Sequence, residues 1–348
     1  MSKVSRFGPK TVLAVTVMLA VVVLVLVAGA GRAGAAFPGA NGKIAFVKEN
    51  FRQGSSGIFA MNPDGSETDR LGSGYSPSWS ADGQKVVFER ISGESEEDFD
   101  QDIYVMNADG SGLEQITSSR AYDFSPSFFP DGSKIAFVRD SPRNGIDIFT
   151  KKLDGTGLLT KLTDDAGFYE ESLAVSPDGN KIAFSRYTRS SEIWVMDSDG
   201  TTDPVNLTKT GRIDEFGPDW SPDGSKIAFT SYHSNLSGGG EALSQGEALA
   251  PEALSREAAA SQEPEEDLEI SVMNSDGTER KNLTDSKAIS VLPAYSPNGN
   301  RIAFSRVTFS ETRGERGDIF VMRADGTGVR QLTDTRAFEY GADWQPLP

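Results

Sequence analysis

Short apolar runs, rich in β-branched and aromatic residues, punctuate the chain from Asn41 to Trp344, and Asp-Gly or Asn-Gly pairs bound them. Ile182-Ala183-Phe184 is one such run and Ile193-Trp194-Val195-Met196 another. Runs this short predict strands, and being apolar on both faces they suit strands sandwiched between neighbouring sheets. The Asp-Gly pairs supply the positive φ of tight hairpins. Four strands recur in order: A around Ser-Pro-x-Trp, B at Lys-Ile-Ala-Phe, C at Asp-Ile-Tyr-Val-Met and D at Gln-Leu-Thr. Trp220-Ser221-Pro222-Asp223-Gly224-Ser225-Lys226-Ile227-Ala228-Phe229 is the clearest copy of the first half. Asp102-Ile103-Tyr104-Val105-Met106-Asn107-Ala108-Asp109-Gly110 gives the second.

The second-half turn falls at Asp64, Asp109, Asp154 and Asp199, 45 residues apart, then at Asp276 and Asp325. Four strands per unit of about 45 residues is the pattern of a propeller blade, which cannot bury its apolar faces alone. Six units are counted, with one insertion in the fifth. The first unit begins at Asn41-Gly42-Lys43-Ile44-Ala45-Phe46 without a strand A. An isolated strand A, Tyr340-Gly341-Ala342-Asp343-Trp344-Gln345-Pro346, follows the sixth. The expectation is an all-β, six-bladed β-propeller of four-stranded blades, closed when the C-terminal strand completes the first blade.

The S-P-D-G-x-K-I-A-F and V-M-N-x-D-G-T motifs resemble the WD40-like (PD40) repeats of the TolB-type β-propeller family, across nearly all of residues 38–348. The resemblance implies a closed propeller that serves as an interaction scaffold in the bacterial envelope.

Residues 1–36 are different material. Lys3, Arg6 and Lys10 precede an apolar stretch from Thr11 to about Ala28, followed by Ala33-Gly34-Ala35-Ala36. This is the layout of a secretory signal, or of an N-terminal membrane anchor through residues 11–28 if it stays uncleaved. Either outcome puts the propeller, residues 37–348, in the periplasm or outside the cell. Loss of that segment removes four bases and no acid, taking the net charge from −17 to −21. So acidic a surface repels nucleic acid. The chain has no cysteine, which excludes disulfides and thiolate metal sites. Within the fifth unit, residues 232–267 carry eight acids against one base and read as a disordered, Ala/Glu/Ser-rich insert.

Where the copies differ, function is expected. The D–A connections rim the channel, and three share a pattern of base, two spacers, acid, aromatic. These are Arg120 to Phe124 with Tyr122 and Asp123, Arg212 to Phe216 with Glu215, and Arg336 to Tyr340 with Phe338 and Glu339. Phe168, Tyr169 and Glu170 occupy the same place in the fourth unit, while Gly74 and Ser290 replace the acid elsewhere. A partial ring of Asp123, Glu170, Glu215 and Glu339 beside aromatics could hold a cation, a cationic ligand or a sugar. Alternatively, each acid pairs with the arginine before it or with backbone. A second charge pattern sets Lys48, Arg90, Arg139, Arg186 and Arg306 after strand B against Asp102, Asp147, Glu192 and Asp318 opening strand C. These are expected to form cross-strand ion pairs.

Catalytic constellations are missing: no G-x-S-x-G, no P-loop, no H-E-x-x-H, and one histidine, His233, beside the insert. No catalytic residue, metal site or cofactor is expected beyond a cation at the channel mouth. The expected role is binding of a protein, peptide or glycan by a monomeric scaffold. The alternative is a carbohydrate-active hydrolase or lyase using the rim acids.

Overall fold

The computed structural model describes residues 36–348 apart from 51–54, 94–99, 142–144, 155, 157, 165–166, 212, 234–266, 285–287 and 311–313. The expected export segment up to residue 35 and the body of the expected insert therefore lie outside the described residues, among which no helix is long and apolar enough to cross a membrane. All regular structure described is β-strand.

The strands follow the repeat. β1 (Ala40–Asn50), β2 (Ser55–Met61) and β3 (Asp69–Gly72) supply B, C and D of the first unit. The second unit is β4 (Tyr75–Trp79), β5 (Lys85–Ser92), β6 (Asp100–Asn107) and β7 (Glu114–Gln115). β8 (Tyr122–Phe128), β9 (Lys134–Ser141), β10 (Gly145–Lys152) and β11 (Thr160–Lys161) form the third. In the fourth come β12 (Tyr169–Val175), β13 (Lys181–Tyr187), β14 (Ser191–Asp197) and β15 (Val205–Asn206). The fifth contains β16 (Asp214–Trp220), β17 (Lys226–His233), β18 (Asp267–Asn274) and β19 (Lys281–Asn282). β20 (Ile289–Tyr295), β21 (Arg301–Ser310), β22 (Gly314–Arg323) and β23 (Arg330–Gln331) make the sixth, and β24 (Phe338–Leu347) ends the chain.

β24 pairs antiparallel with β1 in a sheet ordered β24-β1-β2-β3, as the chain ends led one to expect. The first strands β24, β4, β8, β12, β16 and β20 pack each against the next, and β20 packs back on β24. The ring is closed. The expectation of six separate four-stranded sheets is corrected, however. There are four four-stranded sheets and one of eight strands, in which a single parallel bridge, Ile146 to Tyr169, joins β10 to β12. The cause is local: the start of β10 comes alongside the incoming β12 and one backbone rung links them.

The insert is also narrower than the composition suggests. Tyr232 and His233 end β17 and pair in register with Leu268 and Asp267. The one histidine thus belongs to a ladder position.

Apolar layers between successive units hold the ring. Ala45 and Ile58 of the first unit meet Trp79, Val86, Phe88 and Met106 of the second. At the closing junction Phe46, Met61 and Trp344 meet Ala303, Ile319 and Val321. Phe46, Phe88, Phe137, Phe184, Phe229 and Phe304, the strand B aromatics, are all fully buried, each contributing roughly 2–3 kcal/mol. Polar clamps cross the junctions too: Asp343 Oδ2 accepts the Trp79 N–H at 2.8 Å, and Asp219 Oδ2 the Tyr295 N–H at 2.6 Å.

The turn glycines have a second task that hairpin chemistry alone does not reveal. At Gly110, φ is +84° and an added Cβ would stand 2.4 Å from the Leu71 carbonyl oxygen of the preceding unit. The turn needs glycine for its φ, and the neighbouring unit needs it for close approach.

Candidate functional site: the channel rim

The acids that open strand A, expected at a channel mouth, are spoken for. Asp123, Glu170, Glu215 and Glu339 are each at most 1% exposed. Arg139 grips Asp123 with two hydrogen bonds, Nε to Oδ1 at 2.6 Å and Nη2 to Oδ2 at 2.7 Å. Arg186 donates to Glu170 Oε1 at 3.0 and 2.7 Å. Lys48 Nζ lies 2.8 Å from Glu339 Oε1, which also accepts from Thr335 Oγ1 at 2.8 Å. A buried carboxylate needs such a partner, since isolated charge is too costly away from water. Among the described residues the acids therefore pair, and Asp123 and Glu339 do not do so with the arginines before them. Arg120 and Arg336 are exposed, and Arg212 lies outside the described residues.

The same geometry corrects the expected B–C pairs. Arg90, Arg139, Arg186 and Arg306 do face Asp102, Asp147, Glu192 and Asp318 in register. Yet Arg139 and Arg186 face a strand A acid on their other side, and the more deeply buried acid takes the guanidinium. Strand C acids turn outward to strand D. Asp102 accepts from Gln115 Nε2 at 2.9 Å and Thr117 Oγ1 at 3.1 Å, and Lys161 Nζ lies 2.9 Å from Asp147. Asp318 has Arg316 at 3.7 Å.

Two functional groups escape sequence reasoning. Arg280, just before β19, pairs with Glu215 and donates to Ser231 Oγ at 3.1 Å, its Cζ 5.2 Å from the Phe229 ring. Ser231 stands where the other units have a base, and a chain that keeps the acid must find a cation elsewhere. That mismatch was the available signal. Glu89 is the other. It is 1% exposed on β5, Gln101 donates to its Oε2, and no cation pairs with it among the described residues. Burial pushes its carboxyl up to about 7.

Burial likewise raises Asp123 and Glu215 against their bases, and lifts Glu170 to about 7 despite Arg186. Glu171, beside Glu170, is raised to about 7 by burial, with Ser191 Oγ donating to it at 2.7 Å. Ser191 also gives its N–H to Asp214 Oδ1 at 2.9 Å.

The aromatics divide. Phe216, Phe338 and Tyr340 are buried in one cluster with Ile289, Val291 and Leu292, so they are core rather than rim. Tyr340 Oη donates to Glu49 Oε2 at 3.4 Å. Tyr122 and Phe168 remain open, 36% and 37% exposed, with Tyr169 half-buried. The Arg186 Cζ lies 5.2 Å from the Phe168 ring. Among the described residues, no group of three or more His, Cys, Asp or Glu could hold a metal ion. Of the rim side chains expected from the sequence, those left exposed are aromatic or cationic.

Comparison with known proteins agrees with this frame. Residues 37–186 match the TolB β-propeller domain, PD40. A TolB homolog from Chlorobium luteolum is 36% identical over 99 residues, 28% of this chain and 21% of that protein. The matched stretch is thus well under two thirds of the relative. TolB from Acinetobacter baumannii superposes with a TM-score of 0.66 at 22% identity, covering 88% of this chain and 67% of that one. A TolB-type structure from Agrobacterium tumefaciens gives 0.57 at 18% identity over 88% of this chain and 100% of the other. These two structures speak to the fold. With the repeat and the closed ring, the domain match over residues 37–186 makes the chain similar to the TolB-type β-propellers in fold.

Proposed function

We propose that this chain is an exported, non-catalytic TolB-like scaffold that binds a protein, peptide or glycan in the bacterial envelope. The ring is read as six blades, the eight-stranded sheet counting as two. An apolar layer with Val138, Ile148, Leu173 and Phe184 lies between its halves and supports that count. The observation that carries the reading is the state of the rim: its carboxylates are buried in ion pairs, while Tyr122, Phe168, Arg120 and Arg336 stay open. Carboxylates at most 1% exposed and held by a cation are out of reach of a ligand, which weighs against the hydrolase or lyase alternative. Aromatic and arginine side chains over a rigid frame are what interfaces favour. No cofactor enters this reading. The charged start, apolar stretch and Ala-rich end of residues 1–36 support export.

The test is affinity capture from the native envelope with full-length protein and the Tyr122→Ala plus Phe168→Ala variant. Loss of the captured partner from the variant is expected. An unchanged partner set would sink the rim reading. N-terminal sequencing of the exported protein distinguishes a cleaved signal from an anchor.

A further inference from the structure

One junction of the ring lacks three side chains that most of the other units keep. Strand D ends in Thr117, Thr163, Thr208, Thr284 and Thr333, but in Gly72 in the first unit. Those threonine hydroxyls accept the strand C N–H groups of Ile103, Ile148, Ile193, Ile270 and Ile319. Strand C opens with an acid in the other five units, and with Gly57 in the first. Strand A of the second unit has Gly74 where Asp123 and Glu170 stand in the next two. All three absences fall between the first and second units.

The consequence is a crevice with about 100 Å³ of free space between β3 and the β5–β6 hairpin. Leu71, Phe88, Met106 and Leu113 form its apolar walls, with Ser73 and Arg90 supplying polarity. Arg90 has lost the strand A acid that engages Arg139 and Arg186. It makes no hydrogen bond or ion pair among the described residues, and its Cζ lies 5.7 Å from the Tyr104 ring centroid. Asp102, its register partner, is held instead by Gln115 and Thr117.

We propose that this crevice binds a carboxylate carried on a short branched aliphatic group. Water occupies about 30 Å³ per molecule, so the space takes roughly three or four heavy atoms, the size of an isobutyl group. A guanidinium matches a carboxylate with two parallel hydrogen bonds. Met106 gives the wall the adaptability to close on the alkyl group.

The test uses full-length protein and titration calorimetry with 4-methylpentanoate, its amide, and a short peptide ending in leucine with a free or an amidated C-terminus. Both carboxylates bind and both amides fail. Tighter binding of the peptide acid identifies a protein C-terminus as the source, and tighter binding of 4-methylpentanoate identifies a free acid. Either result supports the shared chemistry. Arg90→Gln weakens binding at least tenfold. Gly72→Thr restores the repeat residue, and its Cβ would stand 3.4 Å from Met106 Sδ, in ordinary contact. That variant fills the crevice and abolishes binding without lowering the melting temperature. Absence of 4-methylpentanoate binding at millimolar concentration, equal binding of its amide, or unchanged binding by both variants overturns the proposal.

Discussion

Replacing Glu89 by glutamine isolates the cost of an unpaired buried carboxylate in this ring. The folded protein holds the Glu89 proton up to about 7, against 4.5 for the free group. Between those values the folded state keeps a proton that the unfolded state releases, so stability falls as pH rises. At 1.36 kcal/mol per pKa unit, the full penalty above pH 7 is about 3 kcal/mol. At pH 5 most folded molecules still carry the proton, and the same linkage leaves a penalty of about 1 kcal/mol. Glutamine keeps the shape and an acceptor for Gln101 but cannot ionise. The Glu89→Gln variant should therefore gain about 2 kcal/mol on the parent between pH 5 and pH 8. Urea midpoints of both proteins at pH 5, 6, 7 and 8 measure this difference, and taking it between two proteins cancels Glu170 and Glu171. A gap that stays constant, or closes as pH rises, would refute the assignment of Glu89 as an uncompensated acid.

Two further predictions concern the frame. Gly83→Ala and Gly132→Ala both place a methyl at φ +66°, but only the first meets another unit, 2.2 Å from the Pro346 carbonyl oxygen of β24. Gly132→Ala should cost about 1 kcal/mol, the left-handed penalty alone, and Gly83→Ala clearly more; equal losses in thermal melts would show that close approach does not matter. Arg280→Met should cost about 3–5 kcal/mol by stranding Glu215. Adding Ser231→Arg, the repeat's usual base position, should restore most of that, and a double variant no more stable than Arg280→Met in urea would refute the substitution of one cation for the other.

The strands, their order and the closing role of β24 were legible in the chain because they rest on local signals: apolar runs, Asp-Gly turns, a first unit without strand A and an extra strand A after the sixth. The blade junctions were half legible. Repetition of Asp-Gly showed hairpins, while the contact of Gly110 with Leu71 depends on how one unit stacks on the next. The rim was legible only in part, for a related reason. A strand alignment put Asp123, Glu170, Glu215 and Glu339 at equivalent places but could not show that three of them face a base across the ladder while Glu215 takes its cation from Arg280. Nor could it separate Tyr122 and Phe168, which stay open, from Phe338 and Tyr340, which pack inside.

By itself the sequence determined a closed ring of β-sheets, since its period and turn residues leave no other way to bury so many two-faced apolar strands. Only the tertiary structure decided which charges are satisfied. Ion pairing depends on distances between residues on different strands: Arg280 crosses to Glu215, Glu89 finds no cation among the described residues, and Arg90 faces a gap left by glycines. Burial then sets how much each of those outcomes costs.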